Sequence, residues 1–558
     1  MTTTHLIVGG GTAGCVVAGR LSEDPRNRVL LVEAGGDHTS SEVPADIAAS
    51  YAGRALYNRN YFWQGMTAAR NGSSPPIGYE QARLLGGGSS INGQVALRGA
   101  PSDYDRWEEL GATGWGWQSV LPYFRKLETD LDFVDQNHGS TGPIRIRRFP
   151  EDQWDGFTSA VVEQWTRQGY VRRQDMNGTL EEGVAAVPVS HDGTGRNSTA
   201  LRYLTPTVRA RPNLTILPES EALRLVVRDR RVTGVEIRGG GATTIREADH
   251  VVLCAGALRT PWLLLKSGIG PAGQLRECGI DPLVDLKGVG RNLQDHPTIS
   301  VVAYMSPRVR RPVARHNFVN LVYSSGLEGT PEMDMVTSAI CKTAWHALGD
   351  RLGALSTYIG KPYSRGFVEL DRHKPDAAPL ITFNWLSDDR DVRRARESFR
   401  MMAETLQPLL ARGDVTDMFA AGFSPKVKKI GALTQWNRLL TGFAGLAMDA
   451  SSQVRRQIIT RFASDGLSLD RLLGDDGLLD AYLRNTATGI WHPCGTCAMG
   501  RASDEMAVVD ALGSVYGIDN LSVADASIIP DIPTTNLNIP VIMIGEKIAD
   551  ALKQRRPA

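Results

Sequence analysis

Cysteine is scarce. Six residues in 558, Cys15, Cys254, Cys278, Cys341, Cys494 and Cys497, are too few and too scattered for a disulfide framework. No run of about 18 apolar residues occurs, so no membrane-spanning helix is expected. An excess of one charge is also missing: 62 Lys plus Arg face 61 Asp plus Glu, a formal net charge of +1. Without a basic field the chain has little with which to hold a nucleic acid. The opening segment carries no basic stretch and glycines cut its apolar run, the pattern of neither a signal peptide nor an anchor. Four Asn-x-Ser/Thr sequons, at Asn71, Asn177, Asn197 and Asn213, would matter only in a secreted chain. A reducing, cytoplasmic setting is the expectation. What remains is an average soluble composition, 42% hydrophobic and 22% charged, long enough for more than one domain. Glycine is the exception: its 58 residues exceed the usual share of about 7%.

The glycines are not spread evenly. Leu6, Ile7 and Val8 form a short apolar run, glycines follow, Cys15, Val16, Ala18 and Leu21 recur at helical spacing, and Val29 to Val32 end at Glu33. This reads as strand, helix, strand. The stretch 84–93 (Leu-Leu-Gly-Gly-Gly-Ser-Ser-Ile-Asn-Gly) has too much glycine for a helix and reads as backbone pressed against a neighbour. Between 213 and 235 apolar residues alternate around Arg230 and Arg231, the pattern of a small antiparallel sheet. Val251 to Cys254 followed by Leu263 to Leu265 forms a second strand-to-helix unit, so a nucleotide domain would be discontinuous. Val392, Ala395, Phe399, Met402, Leu406 and Leu409 keep the stripe of one amphipathic helix, and 367–370 and 380–383 read as strands. The expected divisions are 1–155, 206–300 and 481–558 for cofactor binding, with 156–205 and 301–480 forming a mixed substrate domain.

Gly9, Gly11 and Gly14 make a G-x-G-x-x-G between a strand and a helix, and Glu33 closes the next strand 19 residues later. Glycine lets a helix N-terminus approach a pyrophosphate, and the acid can accept from ribose hydroxyls. FAD or NAD is favoured over NADP.

With these motifs the sequence resembles the glucose-methanol-choline family of flavin oxidoreductases. The resemblance runs through 84–93, Tyr104-Asp105-Arg106-Trp107, Trp115-Gly116-Trp117, Leu121-Pro122-Tyr123-Phe124, Ala255-Gly256-Ala257, Ser267-Gly268-Ile269-Gly270-Pro271 and Gly290-Arg291-Asn292-Leu293. It ends at Trp491-His492-Pro493-Cys494-Gly495-Thr496, Ala524-Asp525-Ala526-Ser527 and Asn536-Leu537-Asn538-Ile539-Pro540. The motifs stand closest to the branch of 5-hydroxymethylfurfural oxidases, aryl-alcohol oxidases and choline dehydrogenases. The implied fold is α/β, a discontinuous Rossmann-like FAD domain with a second domain of antiparallel sheet plus helices. The implied cofactor is FAD. Thr12 and Ala13 would lie at its pyrophosphate, Glu33 and Ala34 at the ribose, and Ala222 at the adenine. Asn92, Gly93 and Val95 would run along the isoalloxazine, with Asp525 and Ala526 near the ribityl chain. Trp63, Leu85, Gly88 and Leu537 complete the cofactor set. Some relatives attach flavin to a histidine one residue before the loop asparagine; Ile91 stands there, so noncovalent FAD is expected.

The resemblance also implies that His492, paired with Asn536, takes the hydroxyl proton of an alcohol while hydride leaves its carbon. Histidine suits such a base. The reaction would convert a primary alcohol to an aldehyde, and onward through the hydrate to an acid, with oxygen or another acceptor reoxidising the flavin. Phe383, Trp385 and Trp345 suggest an aromatic, furanic or apolar substrate; Trp491 either walls the pocket or packs in the core. No metal site is expected, since Cys494 and Cys497 lack further ligands at zinc-like spacing. Two other readings stay open: a hydroxynitrile lyase on the same scaffold, and a thiol-disulfide flavoprotein using Cys494 and Cys497.

Overall fold

The computed structural model describes residues 3–39, 42–313, 315–421, 425–464 and 466–554. Its first large sheet has a parallel core in which Leu214–Leu217, Val29–Val32, Thr3–Val8 and Ala242–Leu253 lie side by side, and Leu521–Val523 joins the outer flank of the last. The central strand ends are apolar on both faces, as a sheet covered on both sides requires; Leu6, Ile7, Leu31, Val251 and Val252 are wholly buried. Ala242–Leu253 serves two neighbourhoods. Its second half pairs in parallel with Thr3–Val8, while its first half pairs antiparallel with Arg231–Gly239, which returns as a hairpin to Ser220–Arg228. The hairpin turns on Asp229 and Arg230, both left-handed at φ 46° and 60°, the signature of a two-residue turn whose twist matches its strands.

The 213–235 segment therefore divides. Its last two strands form the expected antiparallel pair, but Leu214–Leu217 adds to the parallel core in register with Val29–Val32. Alternation within a strand does not reveal which partner it takes.

The helix Thr12–Leu21 springs from the first strand and packs on the long helix Asn538–Gln554. A Cβ on Gly545 would already stand 3.0 Å from Val16. Buried Glu546 fixes the crossing by accepting from Arg20 at 2.8 Å and from the Tyr203 hydroxyl at 2.8 Å.

A second seven-stranded sheet is antiparallel. Its order is Val415–Ala420, Pro297–Met305, Leu352–Ile359, Met335–Ile340, Asn317–Tyr323 and Gly183–Ala186, with Thr488–Gly489 pairing on Pro297–Met305. Ile299, Val301, Ala303, Leu321, Ala339 and Leu355 face one way into an apolar core shared with helices Asp389–Ala411 and Gly156–Arg167. All six stripe residues of Asp389–Ala411 are buried there, and Asp388 caps it by accepting from Arg390 N. The strands Phe367–Glu369 and Leu380–Thr382 pair with each other rather than with this sheet. Among the described residues no helix is long and apolar enough to cross a membrane.

Candidate active site

Between the carboxyl ends of the parallel strands and the other face of the antiparallel sheet lies a cavity of about 1090 Å³. One arm is made by the first glycine loop. Gly14 must lack a side chain, because a Cβ there would meet the Gly9 carbonyl oxygen at 1.9 Å. That close approach aims the first turn of Thr12–Leu21 at the cavity, and Gly11, its N-cap, supplies no side chain to block it. The second glycine run lies directly on the first. Gly87, left-handed at φ 50°, would put a Cβ 2.8 Å from Gly11 Cα. The expectation of pressed backbone holds, but Gly88–Ile91 does form one helical turn, since only the glycines before it need special angles.

Glu33 closes this arm. Its carboxylate accepts from Gly10 N at 2.8 Å and Gly35 N at 2.7 Å, and burial pushes its pKa up to about 7. Asp525 accepts from Gly256 N, Thr260 Oγ1 and Ser527 N at 2.6 to 2.8 Å, fixing the cavity edge next to Ala526. Arg196 and the amide of Gln94 bind Asn92 Oδ1 at 2.9 and 3.0 Å. A cavity of this size with a bare helix N-terminus, a buried acid and glycine-lined walls fits a dinucleotide.

Gly9, Gly11, Thr12, Ala13, Glu33, Ala34, Trp63, Gly88, Asn92, Gly93, Val95, Ala222, Asp525, Ala526, Asn536 and Leu537 all line this cavity, as do Trp491 and His492. Gly14 stands behind the loop. Leu85 is also behind it, with its Cδ1 where a Gly10 Cβ would be 2.6 Å away, and its neighbour Leu84 faces the cavity instead. Phe383 and Trp385 must be corrected as pocket residues. Neither lines the cavity; they stack on each other at 4.5 Å in the buried cluster with Met66, Tyr79, Leu258 and Ile381. Trp345 is likewise absent from the lining and donates its indole N–H to Gly431 O. Trp491 walls the cavity while 41% exposed, which excludes core packing.

The chemistry-bearing end is built around His492. Trp491 before it is left-handed at φ 59°, a costly conformation for an aromatic residue. Buried Asp295 holds the turn by accepting from His492 N at 2.9 Å. The imidazole contacts two groups, Asn536 Nδ2 at 3.1 Å from Nε2 and His296 Nδ1 at 2.8 Å from Nδ1. His296 decides the tautomer. Its Nε2 lies 3.1 Å from Gly360 O and 3.0 Å from Pro533 O, both acceptors, so that nitrogen carries hydrogen. Burial pushes the His296 pKa down to about 3, leaving its Nδ1 bare as an acceptor. The proton between the rings then belongs to His492 Nδ1, and His492 Nε2 presents a lone pair to the cavity and Asn536. Burial, and next the neighbouring His296, hold the His492 pKa well below 6.5. A neutral imidazole whose unprotonated nitrogen borders substrate space, met there by Asn536 Nδ2, can accept a proton from a hydroxyl that takes the amide's place.

Sequence reasoning missed His296 and Asp295. They follow Leu293 by two and three residues, but nothing local marks residues that act on a histidine 196 positions away. Cys494 and Cys497 lie in the same turn, fully buried and free, with burial raising both thiols well above their ordinary pKa. Exchange chemistry needs an accessible thiolate, so the thiol reading loses its support.

Comparison with known proteins agrees with this geometry. Two family models, both described as GMC oxidoreductase, match residues 3–298 and 362–545. The chain is 38% identical to a 5-(hydroxymethyl)furfural oxidase from a Methylovorus species over 98% of each sequence. It is 31% identical to an oxygen-dependent choline dehydrogenase from Sinorhizobium fredii, covering all of this chain and 96% of the relative. Among solved structures, pyridoxine 4-oxidase from Mesorbium loti superposes over the whole of both chains with a TM-score of 0.82 at 28% identity. With two matched models spanning most of its length and a relative above 30% identity end to end, the chain belongs to the GMC oxidoreductases, FAD-binding flavoenzymes that oxidise alcohols.

Proposed function

We propose that the chain oxidises a primary alcohol carried on an aromatic or furanic ring to the aldehyde, with His492 as base. The supporting observation is the locked tautomer, which leaves His492 Nε2 unprotonated and directed at the cavity. The substrate hydroxyl takes the place of the Asn536 Nδ2–H that now meets Nε2 and gives Nε2 its proton, while Asn536 Nδ2 donates instead to the alcohol oxygen and fixes its direction. Bound FAD supplies the acceptor for the two electrons of the carbinol C–H bond. Trp491 and Tyr358 wall this end and limit water. The hydrate of the aldehyde again offers a hydroxyl on a carbon bearing hydrogen, so the same base serves a second oxidation. Names of relatives in the family, an oxidase and an oxygen-dependent dehydrogenase, support oxygen as the final acceptor. Anaerobic mixing with a benzylic or furanic alcohol should bleach the flavin, and air should restore it with release of peroxide. A flavin that no alcohol bleaches would end this reading in favour of a lyase, which binds the flavin without redox turnover.

FAD is held by the Thr12–Leu21 N-terminus, Glu33, the Asn92 loop and the Asp525 turn, without a covalent bond. Ile91, buried on the cavity wall before Asn92, has no nucleophilic atom. Acid or heat should therefore release all the yellow colour into solution as FAD, and colour retained on the precipitate would show a covalent link. Residues 1–155, 206–300 and 481–558 form the cofactor domain, 156–205 and 301–480 the substrate domain, in a cytoplasmic enzyme. The contribution of Gly183–Ala186 to the antiparallel sheet supports that division.

Glu33→Ala should weaken FAD binding by about 1.5 to 3 kcal/mol, the worth of hydrogen bonds to a charged group, roughly ten- to a hundredfold in Kd. The rate of flavin reduction in reconstituted enzyme should stay near the parent, because Glu33 acts on the first glycine loop through Gly10 N and Gly35 N and not on His492. Titration of apoprotein with FAD measures the first quantity; an unchanged Kd would reduce Glu33 to a strand-end residue.

A further inference from the structure

The helix Gln435–Ala450 carries its large apolar side chains on the outside. On Asp389–Ala411 the apolar stripe is buried; here it meets solvent. Trp436, Leu439, Leu440, Phe443 and Leu446 fall within an arc of about 120° at 3.6 residues per turn, and Trp436, Phe443 and Leu446 are 71%, 72% and 63% exposed. Leu433, just before the helix, is exposed as well. Two aromatic rings of about 150 to 250 Å² each and their leucine neighbours make an apolar patch of several hundred Å², the size that marks an interaction surface.

The helix cannot roll to hide this stripe. Its inward side is Thr441, Gly445 and Met448, and a Cβ on Gly445 would stand 2.9 Å from the Arg351 guanidinium. Asp449 ties down the last turn, accepting from Arg310 Nη2 at 2.8 Å, Arg351 Nε at 2.9 Å and the Tyr304 hydroxyl at 2.7 Å. The inward side is small and pinned, so the outward side is set by the fold.

Charge says what the patch meets. From Lys426 to Arg461 the chain has seven basic residues and one acid, Asp449, although the whole chain carries only +1. Lys428 pairs with Glu80, and Arg455 and Arg456 with Asp417. Lys429, Arg438 and Arg461 are exposed and have no ion pair among the described residues. Trp, Phe and Leu on one face with Lys and Arg around them is the make-up of a helix that lies in the interface of an anionic bilayer, where each basic side chain near the surface adds attraction. A second copy of the chain suits the patch less well, because it would set the same cations against these. Sixteen residues reach about 24 Å, too short to cross a hydrocarbon core of about 30 Å and long enough to lie along its surface.

We propose that Gln435–Ala450 docks the enzyme on an anionic lipid surface, with its apolar stripe among the upper acyl chains and its basic flanks among the lipid phosphates. The enzyme is held at the surface and does not span it. Lys429 and Ala432, immediately before the helix, line the active cavity, so docking brings an edge of that cavity to the lipid.

Sedimentation of the FAD-loaded enzyme with vesicles is the test. At about 0.05 M salt the parent should sediment with phosphatidylcholine vesicles containing phosphatidylglycerol and far less with phosphatidylcholine alone; about 0.5 M salt should weaken the binding by screening. Phe443→Asp should lower partition onto the anionic vesicles by roughly tenfold or more, since the ring's transfer from water is lost and a carboxylate meets anionic headgroups. Arg438→Glu should lower it by roughly 5- to 30-fold there and leave the weak binding to neutral vesicles unchanged. Both side chains are exposed and outside the cavity lining, and FAD absorbance reports that each variant is folded. Phe443→Cys adds a reading of depth: the six native cysteines are buried, so an environment-sensitive dye attaches at 443, and its emission should shift to the blue on anionic vesicles. A parent that stays in solution with anionic vesicles at low salt would overturn the proposal. Binding that neither Phe443→Asp nor Arg438→Glu weakens would overturn it by placing lipid contact elsewhere. Light scattering that finds, without vesicles, a dimer that Phe443→Asp dissociates would overturn it by giving the face to a second copy of the chain.

Discussion

His492→Ala should slow anaerobic flavin reduction by an alcohol by roughly 10² to 10⁴-fold, the usual worth of a positioned general base, with FAD still bound. Hydride departs readily only as the hydroxyl loses its proton, and His492 Nε2 is the bare basic nitrogen that faces the cavity beside Asn536. His296 is a poor replacement: its Nε2 stays committed to Gly360 O and Pro533 O, and burial holds its pKa at about 3, so the Nδ1 that His492→Ala releases is a weak base. The pH dependence sharpens the expectation. A base works only when unprotonated, so the rate must fall as pH drops through its pKa. Burial and His296 hold the His492 pKa well below 6.5. The parent rate should therefore be flat from neutral pH down past 6.5 and decline only at lower pH, and His492→Ala should lose that decline. A variant as fast as the parent across this range would remove His492 from the mechanism. A parent limb centred at or above 6.5 would show that the enclosed imidazole is as easily protonated as a free one.

What could be read from the sequence follows how local each feature is. Gly9, Gly11, Gly14 and Glu33 announce themselves because the strand, turn and helix they serve lie within 33 residues, and the helix Asp389–Ala411 is legible because its period alone fixes its buried face. His492 and Asn536 are 44 residues apart and became a pair only through resemblance to a family. Phe383 and Trp385 show the limit of reading by residue type. Large aromatic rings are as much at home in a core as in a pocket, and the strand pairing that buries them with Ala69 and Met66 is set by contacts hundreds of residues away. The cavity face of the antiparallel sheet was illegible for the same reason: Ser300, Asn320, Ser338 and Ser356 are unremarkable singly and stand in one row only when four strands fall into register. The Leu214–Leu217 strand is a smaller instance, its alternation visible and its parallel partner not.

His296→Leu should lower the reduction rate by roughly 10² to 10³-fold, between the usual cost of losing an orienting partner and the ~10⁴-fold that a wrong tautomer costs a serine-protease triad. His296 stands behind the cavity lining and acts through His492. Leucine keeps the volume but removes the acceptor for His492 Nδ1–H, so the imidazole can carry its hydrogen on Nε2 and turn a donor toward the alcohol. It also leaves Gly360 O and Pro533 O without the N–H that now serves them, which adds a stability cost. His296→Gln separates the two effects. Its carbonyl oxygen can accept from His492 Nδ1–H while its amide donates to one of the two carbonyls, so the rate should return to within about tenfold of the parent. Loss should appear in the limiting reduction rate with substrate Kd nearly unchanged. ¹⁵N shifts of the labelled His492 ring should report hydrogen on Nδ1 in the parent and in His296→Gln, and on Nε2 or exchanging in His296→Leu. A leucine variant that keeps its FAD, keeps the parent tautomer and still loses rate would show that His296 supports the fold of the site and leaves the proton to other groups. Equal rates in all three proteins would show that the imidazole holds its orientation through Asn536 and the Asp295 turn alone.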